Sequence, residues 1–281
     1  MANGPAGPAY TCREGSKHLT TDPETPVAAV AGDGDSQPID APPKPSTRAL
    51  YTAYAAGLTG NAVNMMLKVS VPLWALHLNM SPSLIGVALG AAGVLPFFLS
   101  IHGGVLMDRF GTRRVNMVLA MVATIAIALY PVLPFAVAVI CLQLVTGLTT
   151  NMAWMGAQSL IVAVAPGDTV IIGRFSIASR IGNLASPVLT GMAWDFIGPL
   201  GTFLFITACS TTAFAAFYLA PAAEVDAAAS GGKGSLRDLV PRFSEYLQAF
   251  AMLAVPTIAF ISVITFVRIA GSAVQSSFYL V

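Results

Sequence analysis

The sequence predicts an all-α membrane protein, a bundle of about seven spanning helices, and two observations carry that prediction. The mean hydropathy of the chain is +0.74, and its 281 residues are 56% hydrophobic and 10% charged, which leaves too little polar surface to cover a water-soluble globule. The apolar residues also come in continuous blocks of roughly 20 or more, the length a helix needs to cross about 30 Å of hydrocarbon. These blocks do not alternate with period two, so a membrane β-barrel is not expected.

Residues 1–48 are rich in Pro, Gly, Asp and Ser and lack an apolar core of signal-peptide length, so they read as a disordered cytoplasmic tail. Spans follow near 49–76, 82–107, 115–133, 135–158, 173–197, 200–221 and 246–281. The connections between the third and fourth and between the fifth and sixth are short, which makes each pair a tight antiparallel hairpin. The stretch Ala222–Ser244 is long and polar and contains AAASGGKGS, a flexible linker by composition. The expected organisation is therefore the tail at 1–48, a six-helix bundle at 49–221, a cytoplasmic linker at 222–245, and at 246–281 a seventh helix that opens a second half. A faint internal echo supports the repeat, since SVPLWAL (Ser70–Leu76) and QSSFYLV (Gln275–Val281) share an order of small, bulky, aromatic and aliphatic residues.

Net charge is only +1, but its distribution is informative. Lys44 and Arg48 precede the first span, Arg109, Arg113 and Arg114 lie between the second and third, Arg174 opens the fifth, and Lys233, Arg237 and Arg242 fall in the linker. The opposite connections, His77–Pro82, Tyr130–Phe135 and Gly198–Gly201, contain no Lys or Arg. Basic residues near span ends mark the cytoplasmic side, so the N-terminus is expected in the cytoplasm. Cys12, Cys141 and Cys209 are odd in number and scattered, and support neither a disulfide framework nor a metal site.

The stretch GGVLMDRFGTRR places an aspartate and three arginines within seven residues, directly between two apolar runs. Gly104 is suited to close approach of another helix, Gly111 to a tight turn, and the arginines to an anionic membrane face. Asp108 ends an apolar helix and is costly there unless paired with an arginine or a helix N-terminus. Gly104, Asp108, Arg109, Gly111, Arg113 and Arg114 together resemble the signature loop between spans 2 and 3 of the major facilitator superfamily. That resemblance implies a twelve-helix fold, of which this chain supplies about seven, and a latch that holds one half against the other in the outward-facing state. A simple basic anchor is the alternative, although an anchor requires neither the acid nor the glycines.

In the fifth span, Gly182, Ser186, Pro187, Thr190 and Gly191 are similar to the same family's antiporter motif, with Ser186 and Thr190 standing where two glycines are usual. The resemblance implies export by antiport. Read from the residues alone, the run is equally a small-residue packing face bent by a proline. The fourth span departs from the family: an Arg often stands four residues before a Gly in proton-coupled members, and here Gln143 precedes Gly147. A proton as coupling ion is therefore not established.

Ionisable groups within spans are expensive and mark function by default. Lys68, Arg180 and Arg268 are such groups, and no Asp or Glu lies deep in any span. A cavity with cations and no carboxylate favours an anionic substrate. Lys68 and Arg268 occupy equivalent spans of the two repeats, and related organophosphate antiporters resemble this in using basic residues there. Lys68 can alternatively snorkel outward, and Arg180 can contact headgroups or act as a gate. Asn61 and Asn64 precede Lys68 on the same helix and either line the cavity or join helices. His102 is a candidate proton relay or a structural histidine. Trp74, Trp154 and Trp194 lie toward span ends and are expected to anchor at the interface.

Other classes are disfavoured. The chain has no His-Glu-x-x-His or Gly-x-Ser-x-Gly, so an enzyme is not expected. GGKGS lacks the spacing of a phosphate loop, and the basic residues are too dispersed for nucleic acid. The functional expectation is a secondary transporter of the plasma membrane, of prokaryotic inner-membrane type, without cofactor or metal. It would work by alternating access and export a small organic solute, with an anion favoured. Uptake of an organic anion and a non-transporting membrane interaction protein are the alternatives.

Overall fold

A computed structural model of the chain describes residues 45–221, 251 and 254–278. Its regular structure is helical: α1 (Thr47–His77), α2 (Pro82–Phe110), α3 (Thr112–Leu129), α4 (Ala136–Val164), α5 (Thr169–Leu219) and α6 (Pro256–Phe278). The tail up to residue 44, the linker at 222–245 and the ends of the last expected span lie outside the described residues.

The helix boundaries follow local chemistry. Ser46 caps α1 by accepting from the Ala49 N–H at 3.2 Å, and Ser81 caps α2, whose first residue is Pro82. The Asp168 carboxylate accepts from the N–H groups of Val170 and Ile171, each at 3.0 Å, and so starts α5 just after Gly167 at φ 77°. Between α2 and α3 the connection is Gly111 alone, at φ 92°. The expected loop therefore shrinks to one residue, and Asp108, Arg109, Arg113 and Arg114 sit on the helix ends beside it.

Four of these helices, α2 to α5, are long and apolar enough to cross a membrane. The expected count of about seven is met in part. Helix α1 has the length, but Asn61, Asn64 and Lys68 dilute its apolar run, and the short apolar stretch of α6 is Pro256–Arg268. Helix α5, at 51 residues, is broken at Gly198, whose φ of 72° and ψ of −179° suit only glycine. Phe175 of its first arm and Phe217 of its second share one core cluster, whereas Trp194 and Phe203, on either side of the break, join the other. The two arms thus fold back as a hairpin.

One cluster gathers Ala49, Ala53, Leu160, Phe175 and Phe217 at the basic end. The other gathers Val71, Trp74, Tyr130, Val139 and Phe203 at the far end, where the Tyr130 and Phe203 rings stack at 5.1 Å. Trp74 is 6% exposed and sits edge-on to Phe203 at 5.6 Å. It packs the bundle interior, which corrects its expected role as an interfacial anchor, because ring contacts outcompete the headgroup layer.

At the basic end Arg48 Nε donates to the Leu219 carbonyl at 2.9 Å and an Arg113 Nη donates to the Tyr218 carbonyl at 2.7 Å. Both carbonyls belong to the last turn of α5, where they lack helical partners and carry the negative end of the helix dipole. Two cations thereby tie the starts of α1 and α3 to the end of α5. Replacing both Arg48 and Arg113 with Gln should lower stability by about 1 kcal/mol, seen as a fall of the thermal midpoint in mild detergent. An unchanged midpoint would show that these bonds add nothing measurable.

Candidate functional site

A cavity of about 540 Å³ opens between α1, α4, α5 and α6. From α1 it takes Asn61; from α4, Trp154, Gln158, Ile161 and Val162; from α5, Ile172, Phe175, Ser176, Ser179 and Arg180; and from α6, Arg268. Each residue arrives there by helical spacing. Trp154 and Gln158 are one turn apart on α4, as are Ser176 and Arg180 on α5.

Neither Arg180 nor Arg268 makes a hydrogen bond or ion pair among the described residues, and the carboxylates there, Asp108, Asp168 and Asp195, are all exposed. None of the three lines the cavity. Two guanidiniums facing one hollow without a counter-charge can receive bidentate acceptors such as carboxylate, sulfonate or phosphate. Asn61, Gln158 and the two serines add neutral donors and acceptors.

The structure brings together Asn61, Arg180 and Arg268 and leaves out two of their companions. Asn64 donates to Thr150 Oγ1 at 3.0 Å and joins α1 to α4. Lys68 is exposed, on the α1 stripe that also bares Tyr51, Leu58 and Leu76. Trp154 walls the cavity, with its ring near-parallel to that of Phe175 at 6.1 Å. Trp154 is thus a cavity wall rather than the interfacial anchor expected from its place near a span end, and Gln158 lines the cavity beside it without having been a candidate. The available signal was their spacing, which puts an aromatic and an amide on one face of an apolar helix.

The glycine-rich stretch divides its roles. The close helix approach expected of Gly104 falls on its neighbour: a β-carbon at Gly103 would collide with the Met152 sulfur, whereas nothing lies within 4 Å of one at Gly104. Gly111 makes the turn. Asp108 is exposed and forms no ion pair among the described residues, and Arg114 is also exposed. Arg109 is partly buried. Arg113 spends one nitrogen on Tyr218, while its Nε is buried without a hydrogen-bond partner.

The run in α5 packs against α1. A β-carbon at Gly182 would lie 2.6 Å from the Leu58 carbonyl oxygen, and Ser186 and Thr190 are buried one and two turns further on. Their hydroxyls bond back to the carbonyls of Asn183 and Ser186 at 3.3 and 2.7 Å. Pro187 is partly buried, and Gly191 has open space beside it. In α4, the Gln143 Oε1 accepts from the Tyr130 hydroxyl at 3.1 Å and from Thr146 Oγ1 at 3.3 Å, a buried and wholly neutral network. His102 is buried on α2.

Among the described residues no group of His, Cys, Asp or Glu is placed to hold a metal ion. A search of curated proteins gave no match. The model of the Major Facilitator Superfamily matches residues 53–280, from the first turns of α1 through α6. With apolar helices long enough to span a bilayer and a match over most of its length, the chain belongs to the Major Facilitator Superfamily, whose members are membrane transporters of small-molecule substrates.

Proposed function

We propose that the chain is a secondary active transporter for small organic anions and that the cavity between α1, α4, α5 and α6 is its substrate site. The observation that carries this reading is the pair of exposed cations, Arg180 and Arg268, which have no partner among the described residues and share a cavity whose described lining holds no carboxylate. A charge held near hydrocarbon without a counter-ion is costly, and an anionic substrate would offset that cost each time it binds. In this reading Asn61 orients the bound group, Lys68 and Asn64 lie beside the path rather than at its centre, and α6 opens a second half that rocks against the first. The basic end faces the cytoplasm of a cell whose plasma membrane holds the protein. Around Gly111, the unpartnered Nε of Arg113 is a donor available to a latch. Export is the favoured direction, on the strength of the antiporter-like run Gly182–Gly191; uptake is the opposite outcome.

The test is counterflow of a radiolabelled organic carboxylate in proteoliposomes containing the full chain. R268Q and R180Q should each lower the initial rate at subsaturating substrate by about tenfold or more, as expected for loss of a charge-assisted hydrogen bond of ~1.5–3 kcal/mol. Anion counterflow that is unchanged in both variants would sink the site assignment. No counterflow with any anion in the unaltered chain would favour a non-transporting membrane protein.

A further inference from the structure

We propose that the cavity selects planar aromatic anions, a class narrower than organic anions in general; this rests on the transport reading above. One wall of the cavity is aromatic. Trp154 is partly buried there and lies near-parallel to Phe175, at 12° between ring planes and 6.1 Å between centroids. Phe175 is itself 4% exposed and seated where Gly57 offers no side chain, since a β-carbon at Gly57 would overlap the Phe175 ring. It is therefore held in place and backs the indole, so the wall is preorganised rather than adaptable.

The two arginines enter the same hollow from α5 and α6, while Gln158, one turn beyond Trp154, adds an amide. Indole face, guanidinium planes and amide all favour flat ligands, because stacking and cation–π contact act through a ring face. A volume of about 540 Å³ is within the range of small-molecule pockets and admits a fused bicyclic acid. A saturated acid of the same size and charge keeps the ionic contacts but loses the ring-face contacts, a difference of roughly two- to tenfold in affinity.

The experiment measures binding of three probes to the full chain in nanodiscs of neutral lipid: naphthalene-2-carboxylate, its saturated counterpart decahydronaphthalene-2-carboxylate, and the uncharged 2-naphthamide. Naphthalene-2-carboxylate should bind tightest. W154L should weaken it by roughly two- to tenfold, to the level of the saturated acid, and W154F should retain most of the preference. The double variant R180Q/R268Q should weaken both acids. Because W154F keeps a ring in the wall, it separates loss of stacking from loss of folding, and elution as a single monodisperse species qualifies each variant for measurement. Equal affinity for the two acids, with W154L shifting both alike, would overturn the aromatic preference and leave the anion reading standing. If 2-naphthamide bound as tightly as the naphthoate, with the arginine variants unchanged, both readings would fall. Failure of both acids to bind at millimolar concentration would have the same result.

Discussion

Gly147→Val is expected to prevent the bundle from assembling. Helices α2 and α4 approach so closely at this point that a β-carbon on Gly147 would run into the Ala92 carbonyl oxygen, with the Ala92 Cα only 2.6 Å away. The obstacle is backbone, which has no rotamer to change. Adding atoms to a packed interior costs about 1–3 kcal/mol even where side chains can give way, so a branched residue here should exceed that range. In a membrane the close approach of small residues is itself a main source of helix association, because lipid offers no hydrophobic drive to replace it. The measurement is the fraction of protein eluting as a single species in mild detergent, with the thermal midpoint of that fraction. Gly147→Ala should give a partial loss and Gly147→Val a near-complete one. A valine variant with unaltered elution and midpoint would mean that α2 and α4 do not meet at this distance.

Gln143→Arg is expected to be nearly as damaging, and for a different reason. Gln143 is 5% exposed, and its amide oxygen is the acceptor for both Tyr130 and Thr146. Arginine offers only donors, so Tyr130 would lose this acceptor while a guanidinium entered a neutral interior; Thr146 keeps the Leu142 carbonyl, which it already meets at 2.8 Å. With every carboxylate of the described residues exposed, no buried counter-ion is at hand. An uncompensated buried charge of this kind costs about 3–5 kcal/mol. Gln143→Leu removes the acceptor without adding charge and should cost less, about 1–3 kcal/mol. The thermal midpoints should therefore fall in the order unaltered chain, Gln143→Leu, Gln143→Arg; an arginine variant at least as stable as the leucine variant would show that a counter-charge reaches this position.

The helical ground plan was legible because its determinants are local. Serine and aspartate caps, the prolines after Tyr130, and Pro166-Gly167 set the ends of α1 to α5 close to where hydrophobic runs begin and stop. Where a boundary moved, the cause was also local: α4 runs on to Val164 because its breaker comes only at Pro166. The site was legible residue by residue but not as an assembly. Asn61, Arg180 and Arg268 each stand out as polar groups in apolar helices, yet their convergence depends on where three helices distant in sequence come to lie, which periodicity does not encode. Trp154 and Gln158 were hidden by ambiguity, since a tryptophan near a span end suits the interface as well as a cavity wall. Asn64 shows the converse. Its place beside Asn61 suggested a shared surface, but a shift of three residues turns it far enough around α1 to reach Thr150 instead.

The break in α5 has a mechanical consequence. With Gly198 in a conformation that only glycine adopts comfortably, the join between the two arms has no spare residue to absorb twist. A hairpin without slack transmits torque. The first arm carries Arg180 into the cavity, and the second ends in the carbonyls gripped by Arg48 and Arg113. In the proposed transport cycle, a movement of the first arm would pass through this one-glycine corner to the arginine-bound end of the bundle.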